Sequence, residues 1–221
     1  MATVVGVMDE RSLKGRTDVT VVVDPDRKHL LWIPRDLWCE DLGDRVNRAF
    51  ELRGHDGLRA ALAEHGIAID HGLVLSRAAT ERVIAGLDVM MPVAKSFTLT
   101  VPEVPGGHIR EAKREVRFDP PATRLRGVLI HDWLSGRYSS DRNEAGDLGR
   151  IRRQQLLLVV LLGERADLSG ILDEPSEFDL SSDHALDDLA AVRTGWTCGT
   201  FGPLTPRRID GKEVLTSRRA V

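Results

Sequence analysis

Asp147, Arg150 and Gln154 recur at i, i+3 and i+7, the spacing that lines one face of a helix. The same face continues into Leu157, Leu158 and Leu161, so the polar trio stands directly above an apolar stripe. Arg153 lies close to that face, and Arg137 sits in the glycine-containing loop just upstream. Cations crowded into the first turns of a core helix need anionic partners. A helix N-terminus is itself a weak anion site. The chemistry that suits this stretch is phosphate binding. The alternative is a capping Asp followed by a solvated Arg/Gln turn, which fits poorly with so many apolar residues immediately after.

Two further groups could do chemistry. Asp9 stands just after one apolar run and Asp18 just before another. If those runs are strands that pair antiparallel, the two carboxylates reach one edge of a sheet. Paired carboxylates there are hard oxygen ligands suited to Mg²⁺, which also binds substrate phosphates. Aspartates also end strands and open loops as a matter of routine. Arg35 and Asp36 follow Pro34 at the end of a third run. Arg35 is then either a bidentate phosphate clamp or half of a self-paired surface turn.

The elements that must position these residues read as an interleaved series. Thr3–Met8, Val19–Val23 and His29–Ile33 are β-branched or apolar runs of strand length, and the short turn at Asp24–Arg27 makes the second and third a hairpin. Asp44–Leu52 and Gly57–His65 carry helical spacing. Ile67–Leu75 reads as a strand, and Ser76 as the N-cap of a helix through Val83, Ile84 and Leu87. Phe97–Val101 alternates as a half-exposed strand. Pro102–Pro121, with four prolines and two adjacent glycines, reads as a loop or weak hairpin and a candidate flap. The helix around Arg150 follows, then Asp183–Val192 as a last amphipathic helix, then a turn-rich end with one closing strand. Alternation broken by an early hairpin predicts an α/β fold, with a mixed central sheet covered by helices on both faces, in a single domain over 1–221.

Composition narrows the classes of function. With 42% apolar and 29% charged residues the chain is ordinary and globular, and a net charge of −3 recruits neither nucleic acid nor an anionic membrane. Aromatics at 5% leave little for base stacking. Cys39 and Cys198 are too few for a disulfide scaffold or zinc knuckle, although they could pair in an oxidising compartment. The seven histidines lack HxH or HxxxH spacing, and there is no Gly-x-Ser-x-Gly, P-loop or GxGxxG. The first residues lack a basic, apolar leader, and the Leu156–Leu162 run is far short of the roughly 18 residues needed to span a bilayer. If Met1 is the native start the expected compartment is the cytoplasm. Otherwise it is extracytoplasmic, with an anchor outside this sequence.

In this order the pieces resemble the LytR-CpsA-Psr family of cell-wall glycopolymer transferases. The matching stretches are Gly6–Asp9, Arg16–Asp18, Ile33–Asp36, Arg45–Phe50, Ile69–His71, Val83–Leu87 and Asp147–Gln155. Where the family commonly has Arg-x-Arg, this chain reads Ser135-Gly136-Arg137. The resemblance implies a three-layer α-β-α sandwich forming one catalytic domain. It implies a Mg²⁺-dependent phosphotransferase that moves a phosphoglycosyl group from a polyprenyl pyrophosphate carrier to an acceptor sugar such as peptidoglycan. Asp9 and Asp18 would hold Mg²⁺ or act as base. Arg35, Arg137, Arg150 and Gln154 would bind the pyrophosphate, Asp147 would orient the arginines, and Asp36 and Arg153 would join the substrate site. Two other readings use the same scaffold: a cytoplasmic enzyme with a nucleotide-activated sugar donor acting on a small molecule, and a non-catalytic pyrophosphate-binding module.

Overall fold

Valine, isoleucine and threonine dominate the first strand-length runs, and β-branched residues of this kind favour extended backbone. They form β1 (Thr3–Met8), β2 (Thr17–Asp24) and β3 (His29–Ile33). The computed structural model describes residues 1–8, 10, 12–104, 109–163, 174–192 and 195–217; at 83, 84, 147, 148, 158, 159 and 161–163 it describes the backbone alone. After β3 come the short β4 (Trp38–Cys39) and β5 (Asp44–Arg45), then α1 (Ala49–Ala63). Of the two helical stretches expected here, the first is helical in α1 only from Ala49, its start at Asp44–Arg45 being β5, and the second falls in the other half of α1, beyond Gly54, which turns to φ 59°, ψ −149°, a conformation open to glycine alone. β6 (His71–Leu75) and α2 (Arg77–Gly86) follow, and the Ala79 N–H donates to Ser76 Oγ at 3.1 Å, the expected N-cap. Next come β7 (Asp88–Pro92), β8 (Phe97–Pro102), β9 (Lys113–Phe118), β10 (Ala122–Arg126), α3 (Val128–Ser135), β11 (Tyr138–Ser139) and α4 (Gly146–Gly163). The described chain ends with β12 (Phe178–Leu180), α5 (His184–Ala191), β13 (Thr197–Thr200), β14 (Leu204–Ile209) and β15 (Lys212–Ser217). None of the described helices is long and apolar enough to cross a membrane.

The chain divides into two compact units, Met1–Arg82 with Asp167–Val221, and Val83–Ala166. The first is built on a six-stranded sheet in the order β12-β6-β1-β2-β3-β13. β1 runs parallel to β6 and antiparallel to β2, so the sheet is mixed, as the early hairpin implied. Strand alternation sends Val4, Val22 and Val74 to one face, against Phe50, Leu58 and Leu62 of α1. Leu73 and Leu75 pack on the other face against Ala185, Leu186 and Leu189 of α5. Helix, sheet and helix make three layers. Leu58 and Leu62 are fully buried, each contributing about 1.5–3 kcal/mol by leaving water. Both cysteines are free, Cys39 buried and Cys198 exposed.

The second unit centres on β8, flanked by β11 and β9, with a separate β7–β10 ladder. The Pro102–Pro121 segment holds more structure than its prolines suggest: Lys113–Phe118 pairs residue for residue with β8, so of the two readings the hairpin is the one found. Its four charged residues hide the alternation that buries Val116 and Phe118. The core stacks Phe97 on Phe118 with centroids 5.1 Å apart and sets Trp133 edge-on to Phe118 at 5.2 Å. Asp132 of α3, 2% exposed, accepts two hydrogen bonds from Arg114 of β9 at 2.7 and 2.8 Å. At the far end of the chain, three strands stand where one was expected.

Candidate functional site

In the first unit, the antiparallel pairing of β1 with β2 is the arrangement that could bring two carboxylates to one sheet edge. Met8, last in β1, pairs with Thr17, the neighbour of Asp18. Asp9, next in sequence after Met8, lies outside the described residues. β3 pairs with β2 on its other side and ends at Ile33, opposite Thr20, so its continuation runs beside the start of β2. That continuation carries Arg35, whose guanidinium NH1 donates to Asp18 Oδ1 in a close ion pair. Asp36 sits 3.2 Å from Arg45 NH1 and 3.9 Å from Arg35 Nε, so the alternating charges form a chain rather than an isolated couple.

The loop holding Arg35 and Asp36 is strapped down by β15. Leu215 N–H donates to the Asp36 carbonyl at 2.8 Å, and Arg45 NH2 donates to the Glu213 carbonyl at 2.7 Å. Lys212 Nζ lies 2.9 Å from Asp44 Oδ2. Burial pushes the Asp44 carboxyl up, but the Lys212 hydrogen bond and the adjacent backbone N–H pull it below its ordinary value.

In the second unit, the helical face predicted from spacing is α4. Arg150 is 9% exposed and Arg153 only 2%, which is uncommon for arginine. Arg153 is held by carbonyls: Nε donates to Trp133 O at 2.9 Å, NH1 to Glu144 O at 2.6 Å, and NH2 to Gly136 O. The Glu144 carboxylate lies 3.2 Å from NH1. Burial lowers the Arg153 pKa, the Glu144 bond opposes that, and the like charge of Arg150 adds to it. Gln154 Nε2 donates to Leu134 O at 3.3 Å. Arg137 is exposed, just before β11, and its carbonyl accepts the Gly146 N–H at 2.7 Å. Ser135 ends α3 with its hydroxyl donating to His131 O at 2.7 Å. The side chain of Asp147 lies outside the described residues.

The physical roles therefore separate within α4. Arg153 ties the loop between α3 and α4 to the helix and offers its donors inward, to the protein. Glu144 is the residue that sequence reasoning missed; it lies in the polar loop between Arg137 and α4. The available signal was Gly149, because a Cβ there would fall 2.8 Å from Glu144 Cα and closer still to its carbonyl. Glycine at this position lets the loop backbone lie directly on the helix.

Among the described residues, no three His, Cys, Asp or Glu side chains gather as a metal cage. One hard carboxylate, Asp18, stands at the sheet edge. It would offer one hard oxygen ligand to Mg²⁺, an ion that keeps several waters and takes the rest of its ligands from one or two carboxylates and substrate phosphates.

Comparison with known proteins gives a consistent result. The chain matches Bacillus subtilis TagU at 14% identity and a TM-score of 0.63, covering 99% of this chain and 91% of that one. A structure of TagT bound to LI-WTA matches at 17% identity and 0.66, covering 99% and 85%. A structure of ywtF from Bacillus subtilis matches at 16% and 0.67, covering 99% and 84%. At these identities the likeness is one of fold. A search of curated protein sequences finds no match. The LytR_cpsA_psr family model, however, matches residues 2–191. The chain belongs to the LytR_cpsA_psr family, whose members transfer glycopolymers onto the cell wall.

Proposed function

We propose that this protein transfers a phosphoglycosyl group from a polyprenyl-pyrophosphate-linked glycan to an acceptor sugar, in a Mg²⁺-assisted reaction. The observation that carries the reading is the Asp18–Arg35 ion pair at the end of adjacent strands, a carboxylate and a guanidinium side by side at a sheet edge. Phosphoryl transfer asks little covalent chemistry of a protein and depends on positioned charge. The LI-WTA complex of TagT supports assigning a lipid-linked donor to this chain.

In this reading the acceptor hydroxyl attacks the phosphorus that bears the glycan. The bridging P–O bond breaks, the polyprenyl phosphate leaves, and the hydroxyl proton passes to a carboxylate, Asp9 or Asp18. Arg35 exchanges its Asp18 partner for a phosphate oxygen. Arg153 acts through the loop it holds. A Mg²⁺ ion held by Asp18 and Asp9 would neutralise charge on the phosphate oxygens.

The test is thermal unfolding with Mg²⁺ plus a prenyl pyrophosphate. The wild-type melting temperature rises, and Arg35→Ala abolishes the rise. An unchanged wild-type melting temperature with every pyrophosphate tried would sink the proposal.

A further inference from the structure

The turn Val46–Arg48, which leads into α1, buries the side chain of Asn47. Asn47 is 1% exposed, and among the described residues neither its Oδ1 nor its Nδ2 has a hydrogen-bond partner. Buried polar atoms are nearly always satisfied, because burial removes the water that would otherwise bond them. An amide with both ends orphaned stabilises the fold less than an apolar side chain of the same size would. What explains an asparagine here is a second state of the protein in which those ends are used.

The backbone of Asn47 indicates which state. Its N–H donates to the Arg35 carbonyl at 3.3 Å, and its carbonyl accepts from the Thr17 hydroxyl at 3.4 Å. Asn47 thereby bridges the two chain segments that carry the Asp18–Arg35 ion pair. Asp18 follows Thr17 and stands at a β-bulge: Met8 pairs with Thr17 and Val7 with Val19, so β2 has one residue more than β1 at this point. A bulge re-aims its extra side chain out of the strict alternation of the strand. Asp18 and Arg35 are 25% and 36% exposed, an ion pair that water screens and that can exchange partners.

We propose that Asn47 is a positioning residue that receives the Asp18 carboxylate once Arg35 has turned to phosphate. A carboxamide offers N–H donors to a carboxylate and adds no charge to the site. In the ligand-free protein the ion pair is closed and the amide is unsatisfied. When Arg35 moves to a phosphate oxygen, Asp18 moves to Nδ2 of Asn47 and is kept from returning to the guanidinium. The amide is satisfied only in the open arrangement, so it biases the pair toward opening. An aspartate at this position would repel Asp18, and an arginine would compete with Arg35 for it. The role in the reaction rests on the exchange of Arg35 proposed above, whereas the Asn47–Asp18 contact is testable with no ligand present.

The experiment follows the side-chain N–H₂ signals of Asn47 by two-dimensional NMR of the whole chain, identified by their loss in Asn47→Leu. In the ligand-free wild type they lie where an unbonded amide does. Arg35→Ala removes the guanidinium and moves them downfield, and adding Asp18→Ala to that variant moves them back. Signals unmoved by Arg35→Ala, or a shift that survives Asp18→Ala, would overturn the assignment. A second arm separates positioning from packing. Asn47→Leu keeps or raises the ligand-free melting temperature, yet binds prenyl pyrophosphate with Mg²⁺ about tenfold more weakly, as the loss of one charge-assisted hydrogen bond requires. A lowered melting temperature with unchanged binding would make Asn47 purely structural and overturn the assignment too. If the wild type responds to no pyrophosphate, the transfer reaction fails, and the ligand-free arm still decides the role of Asn47.

Discussion

Arg35 and Arg153 are the same side chain put to opposite uses. Arg35 is 36% exposed at a sheet edge and faces a carboxylate. Arg153 is 2% exposed inside its unit and faces three backbone carbonyls and one carboxylate. A partly solvated ion pair is worth little and can be exchanged, because water and salt screen it. A buried guanidinium cannot be left unpaired without a large desolvation cost, so its partners are fixed. Position, more than residue type, decides which arginine is available to a ligand and which one builds the place where a ligand goes.

The comparison can be broken most directly at Arg153. Arg153→Leu should cost about 3–5 kcal/mol, since it orphans the Trp133, Gly136 and Glu144 carbonyls. Urea denaturation reads this, and a loss below about 1 kcal/mol would put Arg153 in the same class as Arg35. Gly149→Ala attacks the same clamp from the helix side. Its new Cβ meets Glu144 backbone and should cost about 1–3 kcal/mol, without touching any arginine. Arg35→Gln should leave ligand-free stability within about 1 kcal/mol of wild type, yet remove the pyrophosphate-induced rise in melting temperature.

The cysteines repeat the contrast in another chemistry. Burial pushes the Cys39 thiol from an ordinary 9.0 up to about 12, and burial also raises the exposed-strand Cys198. Cys198 should therefore react with iodoacetamide at pH 8 well before Cys39, which reacts only as the chain unfolds. A thiol whose folded pKa is raised stabilises the fold below its unfolded pKa and loses that contribution as pH climbs. Cys39 should thus weaken the fold between about pH 9 and 12, and Cys39→Ala should flatten that decline.

Much of this was legible in the chain itself. β1, β2 and β3 announced themselves because both faces of a central sheet are buried and the runs are nearly unbroken aliphatic. The family motif around Asp147–Gln155 was equally readable, since 3.6-residue spacing survives whatever the helix packs against. β9 was obscured because its outward residues are charged and its inward ones few. β7, β10 and α3 went unread. What no periodicity could show was the direction in which Arg153 points. Trp133, Gly136 and Glu144 lie 9 to 20 residues away in sequence, and carbonyl partners leave no trace in side-chain identity.

The strap formed by β15 sets the shortest version of this protein that can be expected to work. The family model stops at residue 191, yet the Asp36 carbonyl is satisfied by Leu215, and His65 Nδ1 sits 3.0 Å from Ser217 Oγ. A truncation designed on the family boundary would leave the sheet's inner strands intact and release the turn that carries Arg35. For engineering purposes, the folded structure continues through β15 to Ser217, about 26 residues beyond the point where the family match stops.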